Sequence, residues 1–292
     1  MPPTLNLLTS PDWTDYALLD TGHGKKLERF GKYTFIRPEA QAIWHPALPE
    51  KQWRTAHGEY VATGDEGHGK WELLASLQPW NLTYKGLTME TQVGGSRHLG
   101  VFPEQAAHWD WMGETIREAA RPVRVLNLFG YTGLASLAAA QAGASVTHVD
   151  ASKKAVAWGQ KNQELSRMKE RPIRWLVDDV EKFVRRDLRR GAKYDGLILD
   201  PPKFGRGPSG EVWEFFEAMT DLLANCKTLL SDRPLFIILT AYAIRASALS
   251  IHYAVEEMVK DLGGTLTSGE LALEEQSAGR VLSMAIFSRW RH

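Results

Sequence analysis

An α/β protein, built on a mostly parallel sheet with an antiparallel last strand and preceded by a small β-rich domain, is what this sequence predicts. Three observations predict it. From about residue 123 onward, short apolar runs alternate with helical patterns, the signature of βαβ units. The first hundred residues are instead rich in Trp, Gly, Pro and His, with short alternating runs and no helical period longer than about two turns. The chain has 292 residues, 43% hydrophobic and 24% charged, which suits one large domain or two unequal ones with a sizeable core. The division is placed at 97/98: a β-rich domain over 1–97, assigned to substrate binding, and the α/β domain over 98–292.

In the first domain, residues 33–36 follow Gly31 and stop before Pro38, so they read as a strand with a hard end. Residues 59–63 and 70–74 flank 64–69, Gly-Asp-Glu-Gly-His-Gly, a loop able to supply positive φ angles. Leu82, Tyr84, Leu87 and Met89 lie on two further short strands around Gly86. In the second domain a helix is expected over 104–120, stopped by Pro122. Strands follow at 123–128, 145–149, 173–177, 194–199 and 235–239. Helices are expected between and after them at 134–142, 153–166, 181–190, 212–230 and 246–262. Two final strands, near Leu266 and at 281–287, have only a loop between them and should pair antiparallel.

Thirty-five basic residues balance thirty-five acidic ones, which argues against a surface coated throughout in nucleic acid but leaves room for a local basic patch. One cysteine, Cys226, excludes an internal disulfide and cannot build a zinc site alone. Its place on the apolar face of a helix reads as core packing. The nine histidines show no metal spacing. There is no signal-peptide pattern and no apolar run of membrane-spanning length, so a cytoplasmic protein is expected.

In an open parallel sheet ligands bind beyond the C-terminal strand ends, so the residues that follow each strand are the ones to examine. After the first stands Asn127-Leu128-Phe129-Gly130-Tyr131-Thr132-Gly133; after the second, Asp150 and then Ser152; after the third, Asp178-Asp179-Val180; after the fourth, Asp200-Pro201-Pro202-Lys203-Phe204. Glycines let a ligand approach the backbone, a carboxylate can accept both ribose hydroxyls, and a carboxylate beside a backbone N–H can read adenine. Each feature also has a plain structural reading: a strand-to-helix turn, a helix N-cap, a rigid proline turn. Four in succession favour a nucleoside ligand. A dinucleotide would need G-x-G-x-x-G, whereas this loop has Gly130-x-x-Gly133 and need cradle no phosphate.

The strings NLFGYTG, VDAS followed by Asn162, DDV and LDPPKF, over residues 123–204, resemble the class I S-adenosylmethionine-dependent methyltransferases. Within that class they are similar to the branch that includes bacterial large-subunit ribosomal RNA methyltransferases. Gly100-Val101-Phe102-Pro103-Glu104-Gln105 is similar to an element of that branch that helps enclose the cofactor. The resemblance covers roughly 98–290 and implies a Rossmann-like sheet with S-adenosyl-L-methionine as cofactor. It implies that Phe129, Gly130, Tyr131 and Thr132 wrap the methionine part, with Gly133 also at the cofactor, that Asp150 holds the ribose, and that Asp179 with Val180 meets the adenine. Phe102, Gln105, Asn127, Ser152 and Asn162 would complete the cofactor site. Asp200, Pro201 and Pro202 would face the reacting atoms, and Phe204 would stack on a flipped base.

Relatives that methylate cytosine C5 carry a cysteine after the fifth strand, because that carbon needs thiolate attack. Here the strand ends Leu239-Thr240-Ala241-Tyr242-Ala243. A base nitrogen, whose lone pair attacks directly, is therefore the expected acceptor, in RNA and foremost ribosomal RNA. The alternatives are a non-catalytic RNA-associated protein that keeps the cofactor fold, and a methyltransferase for a small molecule or a protein. Lys25, Lys26, Arg29, Lys32 and Arg37, and the helix residues Arg185, Arg186, Arg189 and Arg190, are candidate phosphate contacts or merely solvated faces.

Overall fold

A computed structural model describes residues 2–10, 13–63, 69–242 and 244–292. Five of the six residues of the expected 64–69 loop lie outside the described residues, as does Ala243. The chain divides into two compact units: residues 9–104 with 272–283, and residues 1–8, 105–271 and 284–292. The division in the middle of the chain thus falls at 104/105 rather than 97/98. Residues 272–283 join the N-terminal unit because the last two strands run on beyond the large sheet's own unit.

β1 (Leu5–Thr9) is an edge strand of the large sheet. The N-terminal unit holds β2 (Tyr16–Gly22), β3 (Lys25–Phe30), β4 (Tyr33–Pro38), the single turn α1 (Glu50–Trp53), β5 (Gly58–Ala62) and β6 (Gly69–Leu73), a sheet in that order. Its pairs are antiparallel except β4 with β5. β7 (Trp80–Tyr84) and β8 (Leu87–Thr91) form a separate antiparallel pair.

The second unit opens with a 3-10 turn, Pro103–Gln105, whose last residue belongs to it, and α2 (Ala106–Glu118). There follow β9 (Arg124–Leu128), α3 (Leu134–Gln141), β10 (Ser145–Asp150), α4 (Lys153–Leu165), β11 (Ile173–Val177), α5 (Val180–Arg189) and β12 (Gly196–Leu199). Next come β13 (Phe204–Arg206), β14 (Val212–Glu214), α6 (Phe215–Thr228), β15 (Phe236–Ala241), α7 (Ala248–Val259), β16 (Thr265–Glu274) and β17 (Val281–Arg291). The eight-stranded sheet has the order β1-β16-β17-β15-β12-β9-β10-β11. β15, β12, β9, β10 and β11 run parallel to their neighbours, and β17 runs antiparallel to β15. This is the expected Rossmann-like sheet with an antiparallel last strand.

β12 and β15 are buried along their whole length, as central strands covered on both faces must be. Leu126, Leu197, Leu199, Ile237 and Leu239 meet Phe183, Leu222, Cys226 and Val255 from the helices in one continuous apolar core. The helix expected over 212–230 is shorter than expected. Val212-Trp213-Glu214 pairs instead with Phe204-Gly205-Arg206 as a hairpin, and the helix begins at Phe215. Two strands in the N-terminal unit, β2 and β3, were not marked by any alternating pattern. Lys26 and Glu28 are buried like Leu27, so burial along β3 does not follow an alternation of apolar and polar residues.

Candidate active site

The loop after β9 is shaped from below. Asn127, His148 and Trp175 stand at one level on β9, β10 and β11, each the registered neighbour of the next. The His148 ring lies 4.4 Å from the Trp175 ring, and its Nδ1 is 3.0 Å from Ser136 Oγ, which accepts the Asn127 amide at 2.9 Å. Burial pushes the His148 imidazole down to about 3, so the ring is neutral. A Cβ at Gly130 would lie 2.3 Å from His148, and one at Gly133 would lie 2.5 Å from Trp175. Glycine is thus what lets the loop settle on this floor. Gly133 has φ 80°, and Phe129 and Tyr131 adopt left-handed φ of 58° and 48°. Non-glycine residues there cost roughly 1–3 kcal/mol each, a strain characteristic of ligand-binding loops. Asn162, fully buried, donates to the Thr132 carbonyl at 3.0 Å and props the loop from α4.

Asp150 ends β10. One oxygen accepts the Tyr131 N–H and the other the Ser152 N–H, each at 2.8 Å, so the carboxylate is aimed by the backbone on both sides. Burial raises its pKa above the usual aspartate value, against the downward pull of those two N–H groups. Ser152 also caps α4, accepting the Ala155 N–H at 3.2 Å. After β11 the two carboxylates divide their work. Asp178 pairs with Arg186, while Asp179 caps α5 by accepting the Lys182 N–H at 2.9 Å, beside buried Val180.

Asp200 follows β12. Gln105 reaches it from the turn before α2: its Nε2 donates to Asp200 Oδ2 at 3.2 Å and to the Tyr242 hydroxyl at 3.1 Å. Three segments far apart in sequence therefore converge at the ends of the adjacent strands β12 and β15. Pro201 is buried; the Pro202 carbonyl accepts the Trp213 indole N–H at 2.7 Å, and the Trp213 ring lies 4.8 Å from Phe129. Phe204 is half exposed on β13. Phe102 belongs to the N-terminal unit, with its ring 4.9 Å from that of His98. Tyr242, Trp213, His148 and Trp175 were missed as parts of this site. Tyr242 stands where the rule of reading the residue after each strand would have found it.

Cys226 is buried in α6, and burial pushes its thiol up to about 12. The arginines of α5 are largely compensated: Arg185 pairs with Glu181, Arg186 with Asp178 and Arg190 with Asp187. Lys26 and Arg37 are buried near Glu28, so they are structural rather than phosphate-facing. No helix is long and apolar enough to cross a membrane among the described residues. Nor do three or more His, Cys, Asp or Glu among them gather as a metal site.

The acceptor pair at Asp150 fits a nucleoside with a vicinal diol. Each Asp150 oxygen carries one backbone N–H, which leaves each a further lone pair for a hydroxyl. A family model described as S-adenosylmethionine-dependent methyltransferase matches residues 9–245. A crystal structure of a SAM-dependent methyltransferase from Agrobacterium tumefaciens is similar over 99% of this chain and 95% of its own, with 46% identity and a TM-score of 0.94. Ribosomal RNA large subunit methyltransferase K/L of Pseudoalteromonas translucida is 38% identical over 124 residues, 41% of this chain and 17% of that protein. Ribosomal RNA large subunit methyltransferase I of Klebsiella pneumoniae is 34% identical over 134 residues, 46% of this chain and 32% of that one. The matched regions are thus a minor part of those curated relatives.

Proposed function

We propose that this chain, which belongs to the S-adenosylmethionine-dependent methyltransferase family, methylates a base nitrogen in RNA, with ribosomal RNA the leading candidate, and works in the cytoplasm. S-adenosylmethionine, when bound, supplies an electrophilic methyl group on its sulfonium. The observation that carries the choice of nitrogen is the state of the chain's one cysteine. Cys226 is enclosed in the core with its thiol held far above neutral pH, so no thiolate is available to activate a ring carbon. A nitrogen acceptor needs only a position and a hydrogen-bond acceptor.

The residues at the strand ends supply both. Asp150 accepts the two ribose hydroxyls, the 129–133 loop lies along the methionine part, and Asp179 with Val180 borders the adenine. Asp200 accepts an N–H of the acceptor amine, which aims the nitrogen lone pair, and takes up the released proton directly or through water. Gln105 keeps that carboxylate turned toward its task, and Phe204 stacks on the base. The similarity to two large-subunit ribosomal RNA methyltransferases supports the RNA substrate.

The test is transfer of labelled methyl to large-subunit ribosomal RNA, followed by nucleoside mass spectrometry. An N-methylated nucleoside made by wild type and not by Asp200→Ala is expected. A C5-methylated pyrimidine would overturn the nitrogen assignment, and label found only in protein or small molecules would overturn the RNA one.

A further inference from the structure

Immediately after Asp200 the chain builds the β13–β14 hairpin, and three large apolar side chains stand exposed within 13 residues: Phe204 at 50%, Val212 at 53% and Phe216 at 60%. The ladder registers Phe204 with Glu214, Gly205 with Trp213 and Arg206 with Val212. Cross-strand neighbours share a face, so Phe204, Arg206, Val212 and Glu214 face one way and Trp213 the other. An isolated two-stranded hairpin is marginal in water, and Trp213 is what holds this one down. Its ring is buried against Phe129, and its N–H is given to the Pro202 carbonyl. The opposite face is left to solvent.

The charges around the hairpin differ from those of α5. Arg206 lies 5.9 Å over the Phe204 ring, and among the described residues neither Arg206 nor Lys203 makes an ion pair. Glu211, in the turn, is neutralised by Lys182. Glu214 stands at the base of the hairpin opposite Phe204, at the other end of the ladder from Arg206, which leaves the tip cationic.

We propose that this outer face, with the exposed start of α6 beside it in the chain, docks an unpaired stretch of RNA, one base against Phe204, another against Phe216, and neighbouring phosphates on Arg206 and Lys203. The proposal rests on the RNA reading above and adds the surface that would deliver the base to Asp200. Aromatic rings and guanidinium planes stack on splayed bases, whereas a duplex keeps its bases covered. Trp213 anchors the hairpin's other face to Phe129, and the hairpin follows Asp200 directly in the chain.

The probe is a fluorescein-labelled 12-nucleotide single-stranded RNA and the same strand annealed to its complement, titrated by anisotropy against the full chain with S-adenosylhomocysteine present. The single strand is expected to bind more tightly than the duplex. Phe216→Ser should weaken it about fivefold or more, the effect of losing one stacked base. Lys203→Ala with Arg206→Ala should flatten the slope of log affinity against log salt by about 1.4, two phosphate contacts on a single strand. Calorimetric affinity for S-adenosylhomocysteine, unchanged in each variant, shows that they fold. Equal RNA binding by wild type and variants would overturn the hairpin assignment and leave the RNA reading standing, and so would tighter binding of the duplex. Absence of RNA binding by wild type that still binds S-adenosylhomocysteine would overturn both.

Discussion

Three carboxylates of the N-terminal unit and three of the other stand in contrasting places. In the N-terminal unit the three are inside. Asp20 and Glu28 are fully buried, and Glu275 nearly so. Asp20 gathers the Ala47 and Leu48 N–H groups, the Trp53 indole and the Ser277 hydroxyl. Glu275 accepts from Arg280 at 2.5 Å, and Glu28 holds Arg37 through two bonds of 2.7 Å while accepting the Tyr16 hydroxyl at 2.9 Å. In the other unit the central strands β12 and β15 are buried throughout, and Asp150, Asp179 and Asp200 stand at or just past the ends of β10, the edge strand β11 and β12. Under the proposed function, the contrast teaches that position relative to the strands separates a carboxylate that holds the fold from one that serves a ligand. Charge, and even burial, does not.

The sharpest way to break that contrast is at Asp200. Asp200→Ala should lower turnover by about 10²–10⁴-fold, the range for a positioned base, with affinity for S-adenosylhomocysteine largely kept. Steady-state methyl transfer paired with calorimetry reads both. Turnover left intact would place the acceptor site elsewhere.

Glu28→Gln tests the other side. It leaves the buried Arg37 uncompensated and should cost about 3–5 kcal/mol of stability in urea unfolding. Activity of the surviving folded protein should change little. The same residue sets an acid limit. Burial alone would raise the Glu28 pKa, but Arg37, then Lys26 and the hydrogen bonds, bring it from 4.5 down to about 2. Its contribution is therefore complete above 4.5 and is lost as pH falls from there through about 2. Acid unfolding followed at tryptophan should show a component in that window that Glu28→Gln lacks.

A smaller effect is expected at Tyr242→Phe. The variant removes the hydroxyl that takes one Gln105 N–H but leaves the Gln105–Asp200 bond, so a loss of about 1 kcal/mol, seen in kcat rather than in cofactor affinity, is predicted. An unchanged kcat would mean that Asp200 needs no such help.

Much of the candidate site was legible because a parallel sheet dictates where to look. The residues after β9, β10, β11 and β12 had to lie on one edge, and Gly130, Asp150, Asp179 and Asp200 were readable there without coordinates. The floor of the loop was not. His148 and Trp175 sit within strands, where an alternating pattern gives them no chemical meaning until register sets them under Gly130 and Gly133. The β13–β14 hairpin was hidden for another reason: Val212-Trp213-Glu214 runs without a break into Phe215-Phe216, and the whole stretch reads as one helix. In the N-terminal unit, β3 was obscured by Lys26 and Glu28. Their burial depends on partners, Arg37 and Glu39, that only the folded chain brings close.

Calorimetric titration with S-adenosylhomocysteine, with NADH as control, on wild type and Asp150→Ala tests the central claim most directly. Wild type should bind S-adenosylhomocysteine and not NADH, and Asp150→Ala should bind it about 1.5–3 kcal/mol more weakly, the scale of hydrogen bonds to a charged group. Because burial raises the Asp150 pKa, wild-type affinity should also begin to fall, on acidification, above the pH at which an ordinary aspartate protonates, and Asp150→Ala should lose that dependence. Equal affinity in the two proteins would contradict the claim that the strand-end carboxylates are the ones that serve the ligand.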